Sequence, residues 1–250
     1  MSIGFGYVTP EQVIKDKADL ARKGIAKGRP LVVLEYAEGI LFVADNPSTH
    51  LHKVGELYDR IAFAAVGRFS EFESLRVAGV RLADLRGYSY GREDVSSRSI
   101  ANAYSQTLGQ IFSEGPKPYE IELCVAEVGT DGSPGALYHV LYDGTVADRK
   151  GFLAIGGQAD ELDAELRRGH SEGMDLNAAL GLAVRVLRGV SQSGENSSRL
   201  EVAVLERGRA RRAFRRLTED DVTNRAAAGT DAEVDPGIAP PGDGKDMDPT

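Results

Sequence analysis

Several side chains in this sequence have types and spacings that chemistry could use. Gly87-Tyr88-Ser89-Tyr90-Gly91 matches G-x-S-x-G, the elbow that presents a nucleophilic serine in esterases. That elbow needs a buried strand before it and a helix directly after it. Here VRLADLR precedes it and reads as helix, and polar Arg92-Glu93-Asp94 follows. A glycine-rich link between two helices is the plainer reading, although His139 and His170 lie downstream in an order that a triad allows. His50-Leu51-His52 resembles a metal-ligand pair, but no third ligand cluster stands near it, so a solvated turn is expected. Cys124 lies in a strand-like run and reads as a small buried hydrophobe. The run from Arg207 to Arg216 holds six arginines and one aromatic residue, Phe214. A basic stripe can bind phosphates, but this one lacks the aromatic platforms on which bases stack. Its arginines are expected to meet acids on the same or a neighbouring subunit. Lys53 immediately precedes a pair of strand-like runs; by itself such a lysine is most simply solvated.

The elements that must position these residues follow from periodicity. Residues 61–66, Ile-Ala-Phe-Ala-Ala-Val, have no polar face, which predicts a strand buried on both sides. Gly67 ends it, and Ser70 with Glu73 has capping-box spacing for a following helix. Phe69, Phe72, Leu75, Gly79 and Leu82 mark one face of that helix, and a second is expected from about Asp94 to Gly115-Pro116. Upstream, Thr9, Pro10 and Gln12 predict a helix start, with Ile14, Ala18, Ala21 and Ile25 on one face of a helix over 10–27. This stripe is thin and built of small residues, which suits a helix on a surface or between subunits. Strands are predicted at 31–36, 40–44, 53–67, 119–128, 136–142, 145–147, 152–155, 200–205 and 213–217, and helices near 158–171 and 176–190. The order alternates strand pairs with helix pairs over short connections. Two antiparallel sheets stacked face to face, with a helix pair on each outer side and one extra N-terminal helix, bury every apolar stripe. The expected fold is therefore a four-layer α/β/β/α sandwich.

Composition narrows the function classes. Of 250 residues 42% are apolar, enough for a substantial core, and the net charge of −8 argues against a general nucleic-acid binder. Residues 226–250 hold six acids and one lysine, so −5 lies there and −3 on the other 225 residues. That segment, rich in proline and glycine, is expected to be a disordered acidic tail after a single domain over 10–225, itself preceded by a flexible segment at 1–9. One cysteine excludes a disulfide framework. No apolar run approaches the ~18 residues of a membrane span. Acids and lysines stand where a signal peptide would be apolar. The expectation is a soluble cytoplasmic protein with no cofactor and no membrane partner.

The stretch ELYDRIAFAAVGRFSEFESLR resembles the α-type subunits of the proteasome core particle, most closely the actinobacterial kind, and LARKGIAKG at 20–28 and ELCVAEVG at 122–129 fit the same family. The likeness spans roughly residues 7–220 and implies the same α/β/β/α sandwich. Peptidase members of that family use a threonine at the mature N-terminus, whose amine serves as base for its own hydroxyl. Here the first strand opens with Gly28-Arg29-Pro30-Leu31, and the Gly-Thr pairs at 129–130, 144–145 and 229–230 fall in turns or the tail. The resemblance thus implies a non-catalytic α-type subunit. It would form a seven-membered ring with identical copies, stack on β-type subunits, and control admission of unfolded chains in the degradation of proteins tagged by a small ubiquitin-like modifier. A ring ATPase or another activator with a C-terminal tail is the implied partner. Lys53 matches the lysine that pairs with that tail's carboxylate between neighbouring subunits. Gly67 matches the glycine closing the strand pair, with Arg68 after it, and Asp19 stands where the family usually has a glutamate. Backbone N–H groups near Gly67 are expected to assist. Phe5, Tyr7, Val8, Thr9 and Pro10 fall in the family's gate segment, without the aspartate that usually follows the tyrosine. A self-processing amidohydrolase of the same fold, and a serine esterase acting through Ser89, are the alternatives.

Overall fold

The computed structural model describes residues 9–130, 133–190, 199–209 and 211–231. Ten strands form two five-stranded antiparallel sheets among these residues. One sheet has the order β10-β9-β2-β1-β8, built from β1 (Leu31–Tyr36), β2 (Gly39–Asp45), β8 (Phe152–Ile155), β9 (Leu200–Glu206) and β10 (Phe214–Arg216). The other has the order β3-β4-β5-β6-β7, from β3 (Val54–Tyr58), β4 (Ile61–Gly67), β5 (Ile121–Glu127), β6 (Ala136–Val140) and β7 (Val146–Arg149).

Period-two side chains from the facing surfaces meet between the sheets. Val33 and Phe42 pack there against Ala62, Ala64, Val66 and Cys124. The other face of β4 carries Phe63 into a second core with Phe72 and Leu75 of α2 (Phe69–Ser89) and Tyr104 and Leu108 of α3 (Ser97–Glu114). Both faces of β4 are therefore covered, which is why its sequence alternates nothing polar. The outer face of the first sheet buries Leu41 and Val43 under α4 (Ala159–Gly169) and α5 (Leu176–Val190). The four-layer sandwich expected from the sequence is the observed fold.

The N-terminal helix, α1 (Pro10–Ala26), lies across one end of the sandwich. Thr9 caps it by accepting the Gln12 amide at 3.3 Å, while the Gln12 side chain donates to Asp16 at 2.7 Å instead of completing the box. Ala21 and Ile25 are buried against Tyr142, with Ala18 and Phe112 beside them. Ile14, expected on that stripe, is exposed, as are Val13 and Leu20. Lys17 donates to the carbonyls of Phe112 and Gly115 at 3.0 and 2.8 Å, placing a cation at the C-terminus of α3.

Three local expectations are corrected. Helix α2 starts at Phe69 with Arg68 as its N-cap, so Ser70 and Glu73 lie inside the helix and form no capping box. The turn at Gly67 (φ +117°) aims the chain into helix two residues earlier, and the Glu71 carboxylate accepts the Glu120 amide at 2.7 Å. A short 3-10 turn at Arg92–Asp94 precedes α3, which starts at Ser97 under a Ser96 cap rather than at about Asp94. A sixth helix, α6 (Glu219–Asp231), was not expected and runs six residues into the stretch 226–250 read as without structure. Ala226-Ala227-Ala228 prolong it, alanine being the best helix former. Residues 232–250 lie outside the described residues.

Candidate functional site

Lys53 is positioned by the first residue pair of the β3–β4 hairpin, its carbonyl accepting the Ala65 amide at 3.0 Å. From there its side chain reaches across to the other sheet. Nζ donates to the carbonyls of Arg29 at 2.6 Å and Asp45 at 3.0 Å. These carbonyls belong to the chain just before β1 and to the end of β2, so the ammonium bridges the two sheets at the sandwich end that α1 covers. An ammonium has three donors; two are used here, leaving the third for an incoming acceptor. Burial is the main force on its acidity and pulls the Lys53 pKa down to about 8; Asp45 and Glu201 oppose this, and Arg29 adds to it.

A buried acid organises the groove. Glu201, at the start of β9, accepts the Lys53 amide at 2.8 Å, the Val54 amide at 3.3 Å and the Asn46 side chain at 2.7 Å, and also contacts His52 Nδ1 at 3.2 Å and Arg216. Asp45 pairs with Arg29 at 3.1 Å. Neither Glu201 nor Asp45 was singled out from the sequence. The available signal was an acid near one end of each of two largely apolar strands, Glu201 in LEVAVLE and Asp45 in GILFVAD.

Gly67 adjoins the same groove. Gly28 closes α1 against it: a Cβ on Gly28 would lie 3.3 Å from the Gly67 nitrogen and would strike Val66. A Cβ on Gly67 itself would collide with the Glu120 carbonyl, and its φ of +117° favours glycine independently. Arg68 is committed elsewhere. Its guanidinium contacts Glu120 at 3.1 Å and Glu71 at 3.5 Å, and Lys117 completes the cluster. Its amide donates to the Glu120 carbonyl at 3.1 Å, so this N–H is not available to a ligand, against the expectation. Asp19 pairs with Arg22 on α1 at 3.3 Å, and among the described residues no contact joins it to Lys53. Of the gate positions, Thr9 and Pro10 form the start of α1, while Phe5, Tyr7 and Val8 lie outside the described residues.

The alternative chemistries lose their geometry. Ser89 is in the last turn of α2, with Tyr88 and Tyr90 exposed around it, so no strand–turn–helix elbow exists. His139 is held by Glu122 at 2.5 Å, and His170 by the Glu35 carbonyl at 2.9 Å. At the start of β1 the chain is Arg29-Pro30, hydrogen-bonded to Lys53 through Arg29 and crossed by the end of α1, so no threonine amine or hydroxyl occupies the nucleophile's place.

Comparison with known proteins agrees with this geometry. Residues 25–205 match the family model described as Proteasome subunit. The chain is 59% identical over 216 residues to a protein of Acidothermus cellulolyticus named "Proteasome subunit alpha", covering 84% of this chain and 92% of that one. Proteins of the same name from Frankia casuarinae (54% over 225 residues, 87% and 94% covered) and Rhodococcus jostii (55% over 220 residues, 85% of each) are similarly close. A sandwich with its nucleophile position filled, an added helix across that end and these likenesses converge: the chain belongs to the proteasome subunit family, as an α-type member that is not itself catalytic.

Proposed function

We propose that this chain forms a seven-membered ring with identical copies, stacks on a ring of β-type subunits, and controls admission of unfolded chains to their threonine peptidase sites. The groove at Lys53 receives the C-terminal carboxylate of an activator tail, from a ring ATPase or a similar partner, in cytoplasmic degradation of proteins tagged by a small ubiquitin-like modifier. One observation carries the docking reading: an ammonium fixed by two carbonyls, with one donor unspent, in a partly desolvated groove where a charge-assisted bond is stronger than in water. Gly67 shapes the groove, Arg68 and its acidic partners line its edge, and Asp19 acts from the helix of the adjacent copy. Residues 1–9, with Phe5, Tyr7 and Val8, form the gate, and Thr9 and Pro10 anchor it to α1. Each groove binds weakly, but a ring repeats it and linked tails gain from effective concentration.

Native mass spectrometry of the chain, alone and with a β-type partner, tests the assembly. Sevenfold rings or half-particles that stack with the partner are the expected species; a monomer that ignores the partner would overturn the reading. Peptide hydrolysis by the assembled particle then tests the groove: Lys53→Ala removes stimulation by a tail-bearing activator and leaves basal hydrolysis intact.

A further inference from the structure

The end of the sandwich opposite Lys53 carries an unbalanced charge. Strand β9 pairs with β2 from Leu200↔Asp45 to Glu206↔Gly39, so the hairpin after Glu206 lies about 20 Å from the lysine groove at 3.4 Å per strand residue. Residues 207–216 contain six arginines. Among the described residues they contact only three carboxylates. Glu206 is shared by Arg209 at 2.5 Å and Arg215 at 2.6 Å, Glu56 takes Arg212 at 3.3 Å, and Glu201 takes Arg216. Arg207 donates to the Ser133 carbonyl at 3.3 Å, and Arg211 has no acidic partner among the described residues. Arg60, beside them, is held by the carbonyls of Val128, Gly129 and Arg209, not by an acid. Arg209 and Arg212 face a cavity of about 1000 Å³ along the open edges of β3 and β10, and Arg211 and Arg60 face a second of about 640 Å³.

The chain leaves the described structure at this same end. Helix α6 begins with Glu219 paired to Arg199 at 2.7 Å, just before β9. It then runs the length of the sheet. Arg225 donates to Asn177 at 3.2 Å, in the first turn of α5. That turn is tied through the Met174 carbonyl to Ala37 at 2.9 Å, and the adjacent Glu38 carbonyl accepts the Arg207 amide at 2.7 Å. Tyr36 lies there too, close enough for Glu206, Arg215 and Arg225 all to act on its hydroxyl. Beyond α6, residues 232–250 carry five acids and one lysine, a net −4. Nineteen residues of random coil have a root-mean-square span of about 25 Å, ample for the distance to the neighbouring hairpin.

We propose that residues 232–250 of this chain dock on the β9–β10 hairpin of the same chain, their carboxylates pairing with Arg209, Arg211 and Arg212. The charges are complementary, −4 against six arginines that share three carboxylates among the described residues, and the attachment at α6 keeps the local concentration high. The Lys53 groove is not the place for this tail, since α6 runs away from that end. The docking is independent of the ring and activator reading.

Crosslinking of the full-length chain tests it. Gly208→Cys with Gly244→Cys leaves every charge in place; an added Cβ at Gly208 meets nothing within 4 Å, and native Cys124 is buried. Mild oxidation in a mixture of isotopically light and heavy chains, read by mass spectrometry, is expected to give a 208–244 disulfide within one chain. Its rate should fall at least fivefold in 0.5 M NaCl and likewise in the added Arg211→Glu/Arg212→Glu variant. Both arginines are exposed, so this variant should fold, which its thermal transition verifies. A rate unaffected by salt and by charge reversal, or a disulfide formed only between chains, would overturn the proposal.

Discussion

If the lysine groove binds a carboxylate, its affinity must follow the protonation of Lys53. Burial pulls that pKa down to about 8. The protonated fraction is then about nine-tenths at pH 7 and about one-tenth at pH 9, so affinity falls roughly tenfold over that span, about 1.4 kcal/mol. A normal lysine, titrating at 10.5, would give almost no change in the same window. The probe is a fluorescently labelled peptide ending in a free carboxylate, with its C-terminal amide as control, titrated by anisotropy against the assembled particle. The amide should bind more weakly at pH 7 and show no such slope. Lys53→Ala removes a charge-assisted bond of about 1.5–3 kcal/mol, a loss of roughly 10- to 150-fold per site. Lys53→Arg stays charged throughout and should flatten the profile. Equal affinity at pH 7 and pH 9 for the unmodified protein, or a slope that persists in Lys53→Ala, would refute the reasoning. Stability carries the opposite sign. Between about 8 and 10.5 the unfolded chain keeps a proton that the folded chain has released, so this lysine's contribution to folding improves as pH rises there.

Other perturbations have expected outcomes as well. Gly67→Ala places a Cβ against the Glu120 carbonyl at positive φ, so it should cost at least about 2 kcal/mol and lower Tm by about 4–8 °C; an unchanged transition would contradict the collision. Arg60→Ala leaves three carbonyls without their donor and should destabilise by about 1–3 kcal/mol, read as a lower denaturant midpoint at constant slope. Deleting residues 2–9 should raise peptide hydrolysis by the assembled particle; an unchanged rate would remove the gate from that segment. Ser89→Ala should alter neither stability nor any ester hydrolysis by more than about 0.5 kcal/mol, its serine being at an exposed helix end.

The layers are legible in the residues alone. Runs such as Ile61–Gly67, apolar on both faces, demand cover on both faces whatever their partners are, and the short links between like elements leave few ways to provide it. The residues also exclude a threonine at the head of the first strand, because that requires only knowing what residue stands there. Local signals were least reliable where a distant group competed. The Ser70–Glu73 spacing promised a cap, but Gly67 and the Glu71–Glu120 contact started α2 earlier. The α1 stripe was half right because only its C-terminal turns reach Tyr142 and Phe112. Tertiary structure alone decided the groove. Lys53 gains its character from Arg29, Asp45 and Glu201, which are 24, 8 and 148 residues away and converge only because β1, β2, β3 and β9 end at the same edge of the sandwich. The lowered lysine pKa comes from burial, a property of packing in three dimensions that residue type and spacing do not encode.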